Sequence, residues 1–385
     1  MSTVLLAVVA VILCVLFRLL NVNSQPQKPV IYGRDRSFIE NILFISPFLN
    51  EPYIPTRLWG FSGHVQTILH SLIGRVRCPW PIGGRISLVL PDKSTLTYDL
   101  YEPVGTEHED DVTVAICPGI GNTSESVYIR TYVHYSQCHG YRCAVLNHIG
   151  ALNSVPVTSS RIFSYGHTDD FNYMIENLLE RYPSTKIILV GFSLGGNLVT
   201  KYLVFNCFNF HNTPLNFRRF YLYIMTDNYR NIITRHKRML LHPEIKNRHS
   251  LDENMIVSAG TLPDLDEAYS RKVHGFESVA DLYKWSSSAF YLSNIKTPMI
   301  FINARDDPIV PEPLLPTIRE FVSSREKIMY LELAHGGHLG FYEGGLVFAN
   351  PVNWLDRALV GLAGGLLMKV KLKPLLITRA NCNIK

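Results

Sequence analysis

Three groups of residues in this chain have the types and spacing to make and break an acyl bond. The pentapeptide Gly191-Phe192-Ser193-Leu194-Gly195 sets a hydroxyl between two glycines. A G-x-S-x-G string arises by chance in about one chain in ten of this length, so its surroundings decide its meaning. An apolar, β-branched stretch over 186–190 runs directly into it, and a helical stretch over 196–203 follows. That is the strand–turn–helix context of a nucleophile elbow, where the serine occupies a sharp, strained turn. Gly191 and Gly195 let strand and helix close around Ser193. The helix start would aim the Leu194 N–H at a developing oxyanion.

A serine hydroxyl needs a base, and the base needs an acid to orient it. Asp306-Asp307-Pro308 follows an apolar stretch over 299–303, at the carboxyl end of an expected strand. Asp307 is the expected acid, because successive side chains alternate in direction and Pro308 fixes the chain just after it. His335-Gly336-Gly337-His338 follows another apolar stretch, over 328–333. His338 is the expected base and His335 a support for its loop. A metal site at the two histidines is disfavoured, since no Cys or carboxylate stands nearby at ligand spacing. Upstream, Cys117-Pro118-Gly119-Ile120-Gly121-Asn122 carries glycines that free the backbone to turn its amides inward. The Ile120 N–H is the expected second oxyanion donor, with the Gly119 N–H next. Chemistry of this kind calls for no cofactor.

The elements that must hold these groups alternate along the chain. A hairpin is expected over 86–101, with strands over 112–117, 143–149, 186–192, 299–303 and 328–333. Helical spacing appears over 126–138, 169–182 and 316–322. Strands alternating with helices predict βαβ units and a mostly parallel sheet with helices on both faces, with functional loops at the strands' carboxyl ends. The expected organisation is an anchor over 1–22, a loop-rich segment over 23–84, two core halves over 85–203 and 299–368, a helical cap over 204–298 and a basic tail over 369–385.

At 385 residues with 47% hydrophobic and 18% charged, the chain is too apolar for disorder. Its 7 cysteines are too few, and odd in number, for a disulfide framework. A net charge of +5 without a basic stripe excludes a nucleic-acid footprint. Residues 4–17 are unbroken apolar sequence, extended past Arg18 by Leu19 and Leu20. No basic residue precedes the run and no small-residue cleavage site follows it, so a retained transmembrane anchor is expected rather than a cleaved signal. Arg18, Lys28, Arg34 and Arg36 on its C-terminal side place the bulk of the chain in the cytosol. The sequon Asn122-Thr123-Ser124 argues for the other side.

Gly63-His64-Val65-Gln66-Thr67-Ile68, the segment from Pro118 through Arg130, the Gly191 to Asn197 segment, Asp306-Asp307-Pro308 and the His335 to Phe341 segment together resemble one family. These motifs are similar to those of the membrane-anchored α/β-hydrolase-domain-containing proteins of type two, monoacylglycerol lipases. The resemblance, over roughly 52–356, implies an α/β-hydrolase fold with Ser193 as nucleophile, Asp307 as acid and His338 as base. It implies a lipid ester as substrate, a membrane as partner, and a single-pass type II arrangement opposite to the one charge bias favours. One departure stands out. Where such proteins carry another core strand, an aromatic run over 205–210 follows Leu203 with no connector, and no convincing strand precedes Lys296. The sheet is therefore expected to lack one core strand. The basic run from Arg218 to Arg248 falls in the cap and reads either as a membrane-facing lid or as solvated helix faces.

Overall fold

The structure, a computed structural model, describes residues 3–21, 23–72, 79–104, 111–204, 217–289, 292 and 295–370. The chain opens with helix α1 (Thr3–Leu20), strand β1 (Val30–Tyr32) and helices α2 (Arg36–Ile45) and α3 (Gly63–Leu72). The hairpin β2 (Gly84–Val89) and β3 (Thr95–Tyr101) leads into β4 (Val112–Cys117), α4 (Val127–Cys138) and β5 (Arg142–Asn147). Then come α5 (Asp169–Arg181), β6 (Lys186–Gly191) and α6 (Leu194–Val204). The cap runs from α7 (Phe217–Arg235) through short helical turns to α8 (Val279–Ser286). It is followed by β7 (Met299–Ala304), α9 (Leu315–Ser324), β8 (Ile328–Leu333) and α10 (Trp354–Val370).

Local chemistry accounts for these elements. Every residue of β4 and of β8 is buried, as strands covered on both faces require. In α5 the acids Asp169 and Asp170 occupy the first turn and Arg181 the last, each complementing the helix dipole. The segment before Gly84, expected as loops, holds β1, α2 and α3 instead. Asp35 caps α2 by accepting the Phe38 N–H at 2.9 Å, and the helix buries Phe38, Ile39 and Ile42. Both helices here are 10 residues long and β1 is only 3, so little periodicity was there to read.

The strands form two sheets, ordered β2-β3-β5-β4-β6 and β1-β8-β7. Pairing is parallel for β4 with β5, β4 with β6 and β7 with β8, and antiparallel for β2 with β3, β3 with β5 and β1 with β8. The architecture is thus mixed rather than mostly parallel.

Among the described residues no strand lies between β6 and β7, and no ladder joins the two sheets. The expected missing strand falls on residues 205–216, which lie outside the described residues; the described strands leave a seam between the two sheets. Packing bridges it. One apolar cluster contains Val114, Ile116, Val190 and Phe192 of the larger sheet together with Met329, Leu331 and Leu333 of the smaller. Leu203 packs on a second cluster built on Met299, Ile328 and Tyr330.

Helix α1 has 18 residues, about 27 Å at 1.5 Å per residue, against a hydrocarbon core of about 30 Å. Among the described residues no helix is long and apolar enough to cross a membrane. The apolar run is a helix, with side chains such as Leu6, Val11, Ile12 and Phe17 exposed around it, and the expected transmembrane anchor finds no support among the described residues. The basic tail over 371–385 lies outside the described residues.

Candidate active site

Ser193 sits between β6 and α6 with φ +55°. A left-handed backbone at a non-glycine residue costs of order 1–3 kcal/mol and persists only where the surroundings enforce it. Here the strand's end and the helix's start enforce it. The Phe192 N–H donates to the Cys117 carbonyl at 3.0 Å and the Gly195 N–H to the Phe192 carbonyl at 2.8 Å. A Cβ on Gly195 would collide with the Cys117 carbonyl, and one on Gly191 with the Gly195 backbone. The tight approach of β4, β6 and α6 thus requires both glycines.

His338 Nε2 lies 2.9 Å from Ser193 Oγ, and its Nδ1 lies 2.8 Å from Asp307 Oδ2. Asp307 is buried, and its Oδ1 accepts the N–H groups of Ile309 at 2.7 Å and Val310 at 2.9 Å. One carboxylate oxygen is therefore held by the backbone while the other faces the imidazole. That arrangement makes Nδ1 the protonated nitrogen and leaves Nε2 to accept a proton from Ser193. The three residues that the sequence singled out for this chemistry thus form one hydrogen-bonded line.

The neighbouring pair does different work. Asp306 Oδ1 accepts the Gly337 N–H at 2.9 Å, and its Oδ2 stands 3.4 Å from His335 Nδ1. His335 Nε2 contacts Ser24 Oγ at 2.8 Å, and its ring meets Phe61 edge-on. These contacts brace the loop that carries His338.

The two amides expected second and first in the oxyanion loop behave differently. The Gly119 N–H donates to the Tyr128 hydroxyl at 2.9 Å, and that hydroxyl donates to Asn122 Oδ1 at 3.1 Å. Gly119 is thereby committed, which removes it as a donor. Among the described residues the Ile120 and Leu194 amides have no such partner. Buried His148, whose imidazole burial holds below its usual range, bonds the Pro118 carbonyl at 3.1 Å through Nε2 and secures the other side of the loop. Asn122 is used inside this loop, and its neighbour Thr123 is buried.

Several supports were not legible in advance. The Thr67 hydroxyl accepts the His338 N–H at 2.8 Å and donates to the Gly63 carbonyl at 2.7 Å. Gln66 Oε1 accepts the Tyr342 N–H at 2.9 Å. Helix α3 thus carries the base loop, and the Gly63 to Ile68 motif was its only signal. His64 Nδ1 lies 3.1 Å from the Tyr221 hydroxyl, linking α3 to the cap. Burial and the nearby Asp307 charge push that hydroxyl up to about 12. Asn197 donates to the carbonyls of Tyr165 and Ser286, and buried Lys201 donates to the Trp285 carbonyl at 2.8 Å. Both fasten α6 to α8. In the cap, Arg230, Lys237 and Lys246 meet Asp227 or Glu253, so part of the basic run is spent on internal pairs. Among the described residues no group of three or more His, Cys, Asp or Glu side chains could hold a metal ion. Burial pushes the Cys117 thiol far up, which leaves it an inert part of the core.

The family described as alpha/beta hydrolase fold matches residues 112–221. Abhydrolase domain-containing protein 2 of Drosophila melanogaster is 58% identical over 390 residues, covering 96% of this chain and 98% of the relative. Monoacylglycerol lipase ABHD2 of Homo sapiens is 40% identical, covering 94% of this chain and 91% of the relative. Phospholipase ABHD3 of Homo sapiens is 24% identical, with 87% and 84% covered. Among solved structures, a Pyrococcus furiosus esterase is 15% identical with a TM-score of 0.45, covering 75% of this chain and 91% of its own.

Proposed function

We propose, for a chain that belongs to the α/β-hydrolase family of Abhydrolase domain-containing protein 2, that it hydrolyses carboxylic esters of lipids, acylglycerols first among them. The observation that carries this reading is the hydrogen-bonded line Ser193–His338–Asp307, with its 2.9 and 2.8 Å links. Relatives named monoacylglycerol lipase and phospholipase support the lipid ester as the substrate class.

The steps follow from the geometry. His338 Nε2 takes the Ser193 proton as Oγ attacks the acyl carbon. Asp307 holds the ring in its tautomer and balances the imidazolium. The carbonyl oxygen, now an oxyanion, receives the Leu194 and Ile120 N–H groups, with the α6 dipole behind the first. His338 returns the proton to the leaving glycerol oxygen. Water then attacks the acyl-enzyme by the same route and frees the fatty acid. Helix α1, whose apolar side chains stand exposed, attaches the enzyme to the membrane that holds its substrate.

The test is hydrolysis of a long-chain monoacylglycerol by the whole chain and by Ser193→Ala. Loss of a triad serine costs about 10⁶ in kcat in a comparable enzyme, so the variant should fall to background while melting normally. Near-normal turnover by Ser193→Ala would refute the assignment.

A further inference from the structure

Beyond α1 and the catalytic line, the structure displays an apolar turn with no partner among the described residues. Residues 345–348 form a tight turn that puts Leu346, Val347 and Phe348 in water, 65%, 44% and 86% exposed. Three consecutive apolar side chains at a turn tip are unfavourable in water, and in a folded protein such a run marks a working surface.

The turn is pinned. Its Gly345 carbonyl accepts the Arg57 N–H at 3.2 Å, and its Leu346 carbonyl accepts the Leu58 N–H at 2.9 Å. The Val347 carbonyl accepts Trp59 Nε1–H at 2.8 Å, and the Phe348 carbonyl accepts the Gly345 N–H at 3.1 Å. Four successive carbonyls are thus satisfied within the protein, which lowers the cost of setting them in hydrocarbon; among the described residues the N–H groups of Leu346, Val347 and Phe348 have no acceptor.

Its position favours the same occupant. The strip that holds the turn, residues 57–59, continues to Phe61, whose carbonyl accepts Asn21 Nδ2–H at 3.1 Å just beyond the end of α1. Four residues span at most about 14 Å, so the strip that holds the turn runs close to the C-terminal end of α1. Leu58 and Ile54 add exposed apolar area beside it. We infer that the Leu346-Val347-Phe348 turn is a second membrane-insertion element, which seats the catalytic domain on the same lipid surface as α1. The occupant is a bilayer. The strip also touches the base loop through the Phe61–His335 contact and the Ser24–His335 bond, so seating the turn fixes the site's bearing on the membrane. The inference deepens the lipid-ester reading and rests on it for the role, though not for the insertion.

The experiment uses the whole chain on vesicles of phosphatidylcholine and phosphatidylserine. In Phe348→Trp, the emission gained over wild type should shift to the blue on vesicles and be quenched by brominated lipid. In Phe348→Asp, the apparent KM for monoacylglycerol held in vesicles should rise about 10-fold, within the factor that transfer of one phenylalanine side chain supplies. Hydrolysis of a water-soluble short-chain ester should be unchanged. If the emission gained in Phe348→Trp is not quenched, or if KM is unchanged in Phe348→Asp, the insertion is overturned. A lipid-free dimer that Phe348→Asp dissociates would overturn it too, by naming a second copy as the occupant. If wild type cleaves neither ester, the hydrolase reading fails while the quenching still decides the insertion.

Discussion

The two sheets hold their parts of the site by different means. The larger sheet carries Ser193 and the oxyanion loop on β4 and β6, whose ladder runs from Val112 paired with Lys186 to Cys117 paired with Gly191. The smaller carries Asp307 after β7 and His338 after β8, strands paired from Met299–Ile328 to Ala304–Leu333. Buried Glu332 adds a staple there, receiving Arg319 at 2.7 and 2.9 Å and Arg305 at 3.1 Å. Within each sheet, hydrogen bonds fix strand against strand. Between them, among the described residues, only packing and side-chain links hold the line. The acid and base therefore share one rigid frame, and the nucleophile stands on another. The link that crosses between the frames is that of His338 to Ser193.

The comparison breaks most sharply within the smaller frame. Asp307→Asn should lower kcat by about 10⁴, because an amide cannot hold the imidazole in the working tautomer. Asp306→Asn should cost less than about 10-fold, since its remaining oxygen can still accept the Gly337 N–H with the loss of only a modest charge-assisted bond. Steady-state turnover of a soluble ester measures both. The reverse ranking would show that the two aspartates had been exchanged.

The seam itself is tested by filling it. Replacing residues 205–216 with the corresponding segment of the Drosophila relative should raise the melting temperature. It should also raise kcat by up to about 10²-fold, the cost of misplacing a catalytic group by about 1 Å. Equal melting and equal turnover would show that packing alone aligns the frames.

What the sequence showed of this arrangement follows from where its signals are local. The elbow at Ser193 was legible because strand, turn and helix lie within about twenty residues, and Asp307 and His338 because each ends an apolar strand. The gap expected after Leu203 falls on residues outside the described ones. Helix α3 was not legible, since its value lies in the Thr67 hydroxyl meeting an amide 271 residues away. Nor was the commitment of Gly119, which depends on how α4 aims the Tyr128 hydroxyl. The anchor expectation rested on the apolar run over 4–20, and among the described residues no helix is long and apolar enough to support it.

The smallest effect lies in the cap. Asp266 is buried and receives the hydroxyls of Tyr165 at 2.9 Å, Ser270 at 2.6 Å and Tyr283 at 2.6 Å, and among the described residues no cation pairs with it. Burial pushes its carboxyl up to about 6, against about 3.9 in an unfolded chain. Between those values the folded state binds more protons than the unfolded one. The group's contribution to stability is thus fullest below pH 4 and is lost as pH rises toward 6. Asp266→Asn removes that dependence. The melting temperature of the variant minus that of wild type should move in the variant's favour by about 5 °C from pH 4 to pH 6. A difference that stays flat with pH would show that the hydroxyl cage fully offsets the burial.

The central claim is that Ser193, activated across the seam by His338, is the nucleophile. A fluorophosphonate ester reacts preferentially with a serine activated in this way, and mass mapping finds the residue it labels. Wild type should carry the label on the peptide containing Ser193. His338→Ala should carry none, and His335→Ala should label at the same residue, but slowly. Label on another residue, or undiminished labelling of Ser193 in His338→Ala, would contradict it.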